Sequence, residues 1–224
     1  MMGAHELRIE VYSDVVCPWC YIGKRRLERA LARTSEVPAR VIWRPFQLNP
    51  TMPPAGMERR SYLNAKFGSL DAFRAMEEQM LAAGAAEGIP FALERIARTP
   101  NTLAAHRLLW FAGQQGHQDA MMESLFRGYF VESEDVGARP VLVRLAARAG
   151  LDPHMVDQVL ATEQGEAEVR TEEATGHRMG IRGVPYFLFN NRFGFSGAQP
   201  VEVFTSAISR VRGHAATGQA AGGG

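Results

Sequence analysis

Val16-Cys17-Pro18-Trp19-Cys20-Tyr21 holds both cysteines of a 224-residue chain. A pair at this spacing can be a redox couple, half of a metal site or a structural bridge. The neighbouring residues separate these readings. Upstream, LRIEVYSDVV alternates apolar Leu7, Ile9 and Val11 and then runs apolar, the pattern of a buried strand ending near Ser13. Downstream, Cys20, Gly23, Leu27, Ala30 and Leu31 recur at helical spacing and form an inward face, with Lys24, Arg25, Glu28 and Arg29 mostly outside. Pro38 ends the helical region, and ARVIWRPFQL reads as a second strand closed by Pro45 and the turn Asn49-Pro50. Strand, helix, strand in this order predicts two parallel strands with a right-handed crossover.

The pattern then changes. From about Glu58 to Met179 nearly every segment has helical period. Ser69 can cap one helix and Asn101 another; Gly150 ends RPVLVRLAARA, and Asp152-Pro153 supplies a cap followed by a first-turn proline. Strand signals return in GVPYFLFNNRFGFSG, where Asn190-Asn191 suits a tight hairpin turn because asparagine tolerates positive φ. PVEVFTSAISRVRG closes the pattern as a helix with Val201, Phe204, Ile208 and Val211 on one face. The expected fold is one split α/β domain, βαβ … ββα, with a large helical insertion. Residues 1–57 carry the first half, 58–179 the inserted helical domain and 180–212 the second half. The small-residue tail 213–224 is expected to be disordered.

Composition narrows the function. A formal charge of +1 with scattered arginines argues against a nucleic-acid or acidic-membrane binder. No apolar run is long enough to cross a bilayer, and MMGAHELRIEVYSD lacks a secretory pattern, so the expected compartment is the cytoplasm. There a close cysteine pair beside a βαβ unit points to redox chemistry. Zinc would need more ligands, and neither a second CxxC nor paired histidine spacing supplies them, so no metal is expected. With Cys17 at the strand–helix junction, Pro18 takes the first helical position. The helix N-terminus then favours a thiolate on an exposed Cys17, while Cys20 lies one turn later on the inward face. That asymmetry lets one sulfur attack and the other resolve. Motifs for dinucleotide, nucleotide-phosphate or zinc-protease chemistry are missing from the sequence, and Glu77-Glu78 and Glu172-Glu173 read as solvated helix faces.

SDVVCPWCYIGKRRLE, with GIRGVPYFLFNN and SGAQP far downstream, resembles the DsbA family of thioredoxin-fold oxidoreductases, in particular its FrnE-like branch. PFQLNP, NTLAAHRLL and the GYF segment extend the resemblance over nearly the whole chain. It implies a thiol–disulfide oxidoreductase with Cys17 and Cys20 as catalytic pair and Pro18, Trp19, Val184 and Pro185 as substrate contacts. Val184-Pro185 is then expected to be cis and to lie against the cysteines. Protein thiols or disulfides, or glutathione as co-substrate, are the implied partners, with no other cofactor. Asn101 and His106 match a pattern of this branch and are supporting candidates, although helix capping and packing also explain them.

Three departures stand out. The strand position where relatives carry a buried acid is Val11, leaving Asp14, Glu10 or water to take the proton of Cys20. The dipeptide lacks the histidine of strongly oxidising DsbA proteins, which implies a less oxidising couple. No further C-terminal cysteines exist for an internal relay. Two other functions compete: a glutathione-dependent isomerase or transferase of the kappa-class type, whose members usually have serine where Cys17 stands, and a non-catalytic peptide-binding or chaperone module using the groove beside Pro185.

Overall fold

The computed structural model describes residues 6–34 and 38–218. Strand β1 (Leu7–Ser13) leads through a short turn into helix α1 (Pro18–Arg33), which is followed by β2 (Ala39–Pro45). Strands β1 and β2 pair in parallel from Leu7↔Ala39 to Ser13↔Pro45. A two-stranded ribbon of β3 (Met57–Glu58) and β4 (Arg98–Thr99) brackets α2 (Arg59–Phe67) and α3 (Leu70–Ala86). The helices α4 (Leu103–Gln114), α5 (Gln118–Phe130), α6 (Arg139–Arg148), α7 (Pro153–Ala161) and α8 (Glu166–Arg178) follow. The chain closes with β5 (Tyr186–Phe189), β6 (Phe193–Ser196) and α9 (Val201–Gly218). The sheet order is β2-β1-β5-β6, with β5 antiparallel to both of its neighbours.

Local chemistry explains most boundaries. Ser69 accepts from the Ala72 amide, Asp152 from His154 and Met155, and Gly150 takes a φ of +88° just past α6. Asn190 and Asn191 both have positive φ at the hairpin, where the Arg192 amide donates to the Phe189 carbonyl. Val201, Phe204, Ile208 and Val211 are all buried, as their spacing predicts.

The structure differs from the sequence reading at several points, among them Glu173, read as part of a solvated helix face but buried with its carboxylate accepting from the Gln47 amide. The ribbon β3–β4 went unread, because two-residue strands leave no alternation to detect. The cap of α4 is Thr102; Asn101 lies one residue earlier and still accepts from the Leu103 amide. Helix α9 continues through Gly218, into the stretch GHAATG expected to be disordered, where alanines favour helix; 219–224 lie outside the described residues. Lys24, placed outside by its helical phase, is buried, with its ammonium among Glu28, Asp119 (3.3 Å) and Glu123 (3.2 Å). Because α5 covers that flank of α1, the charge is kept in the interior by its partners.

The inserted helices share the core of the sheet. One apolar cluster runs from Ile9, Val11 and Phe187 to Leu108, Phe126 and Leu145. At the edge of the sheet, the Gln118 amide from α5 pairs with the Trp43 main chain. It accepts from the Trp43 N–H and donates to the Trp43 carbonyl, both at 3.0 Å.

Buried ion pairs add a pH dependence. Burial alone would raise the pKa of Glu10, Glu87 and Glu123. Arg8 and Arg44 around Glu10, Arg29 and Arg26 around Glu87, and Arg25 with Lys24 around Glu123 outweigh it and hold each below the ordinary value of 4.5. Groups with depressed pKa contribute stability that is present above the unfolded pKa and lost as pH falls through the folded one. Acid unfolding followed by circular dichroism should therefore set in below about pH 4.5. Glu87→Gln should lower stability at pH 7 by about 1–2 kcal/mol and flatten the acid limb; an unchanged profile would contradict this assignment.

Candidate active site

Strand β1 ends at Ser13, and the Cys17 amide donates to the Asp14 carbonyl at 3.0 Å, closing the turn that starts α1. Cys17 is the N-cap in extended conformation and Pro18 follows as the first helical residue. The Cys20 amide donates to the Cys17 carbonyl, so one turn of helix fixes the two side chains relative to each other. Cys17 and Cys20 lie 3.3 Å apart as free thiols.

The Val184–Pro185 bond is cis, and the Cys17 thiol donates to the Val184 carbonyl at 3.6 Å. Pro185 and Phe187 pack over Gly23 of α1, where an added Cβ would come within 3.3 Å of the Pro185 ring and 2.9 Å of Phe187. Residues separated by 167 positions therefore meet at the start of α1. Pro18 and Trp19 are half-buried, Trp19 against the main core.

Cys17 is only 4% exposed, which corrects the expectation of an open sulfur. Its N-cap position does face the end of the helix, but the Val184-Pro185 segment covers that end. Cys20 is fully buried. Burial, followed by the hydrogen bond and charge of Cys17, pushes its thiol well above the ordinary range. The Ser13 hydroxyl and the Asp14 main chain oppose that shift. Ser13 Oγ is buried and completes no hydrogen bond of its own.

The supporting candidates divide. Glu10 is held by Arg8 (3.0 Å) and Arg44 (2.8 Å), which commits its carboxylate to ion pairs. Asn101 spans from the Met52 carbonyl to the start of α4 and acts on the backbone. Asp14 and His106 come together: both are buried, with Oδ1 and Nε2 3.4 Å apart. Ser13 went unnoticed in the sequence, because a serine at a strand end is an ordinary turn signal.

A strand–turn–helix that presents two cysteines beneath a cis-proline loop, on a four-stranded β2-β1-β5-β6 sheet, defines a thioredoxin-fold protein of the thiol–disulfide type. The sequence pattern of the DSBA-like thioredoxin domain matches residues 8–209, and the chain belongs to that family. A probable DsbA oxidoreductase from Streptomyces coelicolor is 37% identical with a TM-score of 0.85, over 92% of this chain and 90% of its own. The uncharacterized protein YwbO of Bacillus subtilis is 26% identical, over 91% of this chain and 96% of its own. The cytosolic disulfide reductase DsbM of Pseudomonas aeruginosa, solved with glutathione, shares the fold at 18% identity and a TM-score of 0.63, over 92% of this chain and 99% of its own. No helix among the described residues is long and apolar enough to cross a membrane.

Proposed function

We propose that this chain exchanges thiols and disulfides in the cytoplasm, with Cys17 as the attacking sulfur and Cys20 as the resolving one. The carrying observation is the pair itself, two thiols 3.3 Å apart at a helix start, with the Cys17 thiol on the Val184 carbonyl. Cys17 attacks a substrate disulfide RSSR′, forming Cys17–S–S–R and releasing R′S⁻. Deprotonated Cys20 then attacks Cys17, giving the Cys17–Cys20 disulfide and RS⁻. The protein loses two electrons and the substrate gains them; the reverse sequence oxidises a dithiol. Pro18, Trp19, Val184 and Pro185 would form the surface that holds the substrate chain, the Val184-Pro185 segment offering main-chain pairing to an extended peptide. Protein thiols and glutathione are the proposed partners, and the redox pair needs no further cofactor.

The test is equilibration in glutathione buffers with thiol counting by mass spectrometry. The pair should cycle with a loss and gain of two hydrogens, at a potential nearer thioredoxin's, roughly −270 mV, than the oxidant value of roughly −120 mV. A protein that lacks both cysteines and keeps its activity would instead indicate a kappa-class transferase or a chaperone module.

A further inference from the structure

A cavity of about 460 Å³ lies between β2 and α4. Its volume falls in the range of small-molecule sites, roughly 300–1,000 Å³. None of Cys17, Trp19, Val184 or Pro185 lines it, so the exchange reaction leaves it without a role. Its floor follows from the sheet. Arg8, Glu10 and Tyr12 stand in register with Arg40, Ile42 and Arg44, and strand alternation turns these side chains to the α8 side. The register sets Arg8 directly opposite Arg40, and like charges so placed on adjacent strands destabilise a sheet. Neighbouring carboxylates relieve only part of this. Glu10 accepts from Arg8 and Arg44, and Glu172 holds Arg44 at 2.6 Å. Arg8 commits one nitrogen to Glu10, while exposed Arg40 has no partner among the described residues. The cavity is thus lined by three arginines, Arg8, Arg40 and Arg44, against a single carboxylate, Glu172.

The opposite wall is one face of α4. The Gln118 amide donates to both the Trp43 and the Leu109 carbonyls, and Gln47 donates to the Thr102 hydroxyl at 3.5 Å. Helix α4 therefore runs antiparallel to β2, which sets Gln114 at the Arg40 end of the cavity and Trp110 across from Ile42. Trp110 is half-buried, and its ring edge lies over Gly165, where an added Cβ would come within 2.7 Å. The ring is held from behind by that loop and turns its remaining surface to the cavity. One end of the cavity is cationic, and its middle is apolar between Ile42 and Trp110.

We propose that this cavity binds a small phosphate monoester carrying a flat ring, with the phosphate on Arg8 and Arg40 and the ring between Ile42 and Trp110. Guanidinium forks pair with phosphate bidentately, and a phosphate offers three acceptor oxygens where a carboxylate offers two. The bound anion also removes the repulsion between Arg8 and Arg40. Gln114 adds an amide donor at the same end. Recognition here runs through side chains and uses no glycine-rich phosphate loop, in keeping with the sequence. A ligand in this cavity leaves Cys17 open to its own substrate.

Isothermal titration calorimetry of the full chain with adenosine monophosphate, adenosine and inorganic phosphate tests the site. The monophosphate should bind once per chain, at least about tenfold more tightly than either fragment, because only it engages both ends. Arg40→Ala should weaken it by about tenfold or more, the scale of one lost charge-assisted hydrogen bond. Gln114→Glu should act in the same direction and Gln114→Lys in the opposite one. Both positions are exposed, so the variants should fold, and their exchange rate with glutathione disulfide should stay within about twofold of the wild type. No saturable binding of the monophosphate overturns the proposal. Equal affinity for adenosine or for inorganic phosphate, or an affinity indifferent to Arg40→Ala and Gln114→Glu, overturns it as well. A large fall in exchange rate in Arg40→Ala would place that residue in the thiol reaction and end the claim of a separate site.

Discussion

Cys20→Ser is expected to attack disulfides and then stall, accumulating mixed disulfides that appear as reducible mass additions of glutathione or client protein. Cys17→Ser should accumulate almost none, at least a hundredfold less at equal exposure time. The difference follows from position. Cys17 stands at the start of α1 with its thiol on the Val184 carbonyl, where an incoming disulfide can replace that contact, whereas Cys20 is fully enclosed and its thiol is pushed well up by burial. The small exposure of Cys17 adds a detail, since an incoming disulfide must displace the contact between its thiol and the Val184 carbonyl. Metal coordination would give another pattern, with either substitution releasing the ion and neither trapping a partner. Equal trapping by the two variants would falsify the division of labour while leaving thiol exchange intact.

Gly23→Val is expected to lower the rate of disulfide exchange by about a hundredfold although it touches neither sulfur, the scale of a 1 Å displacement at a reacting centre. An added Cβ alone would lie 2.9 Å from the Phe187 ring and 3.3 Å from the Pro185 ring, closer than packed atoms normally come. Phe187 is fully buried between Phe195 and Phe204 and has little room to retreat, so the Val184-Pro185 segment must give. That moves the Val184 carbonyl away from Cys17. The overpacking should also cost about 1–3 kcal/mol of stability. Gly23→Ala, with one methyl, should fall between the valine variant and the wild type in both rate and thermal midpoint. A valine variant with normal exchange kinetics would show that the segment is not held in place by α1.

Much of this architecture was legible because local and long-range signals agree. Alternation marked β1, the cysteine pair marked the start of α1, and the Asn190-Asn191 turn marked the β5–β6 hairpin. The meeting of Cys17 with Val184 was legible only through family resemblance, since no local pattern carries a contact across 167 positions. What the sequence hid depends on tertiary cover. Helical phase placed Lys24 on the outer face, but a second layer of helices lies there. Cap chemistry placed the Cys17 sulfur at an open helix end, but a distant loop closes over it. Asp14 and His106 were each legible as supporting candidates, one by its place after β1 and the other by family resemblance, but not as a pair. Their 3.4 Å approach exists only because α4 packs against the sheet at β2.

The pairing of Gln118 with Trp43 decides how this sheet can meet other chains. Strand β2 is an outer strand, and outer strands present main-chain groups that template further strands. A side-chain amide has the same donor and acceptor as a peptide unit, so Gln118 occupies the middle of that border as a one-residue imitation of a neighbouring strand. Unwanted edge-to-edge assembly is thereby hindered at Trp43, in addition to the charges of Arg40 and Arg44 and the proline, Pro45, that the strand itself carries. The guard comes from α5, so it holds only while the inserted helices are in place. A partly folded chain whose sheet has formed before α5 docks would have a sticky border, making the order of folding events a determinant of its solubility.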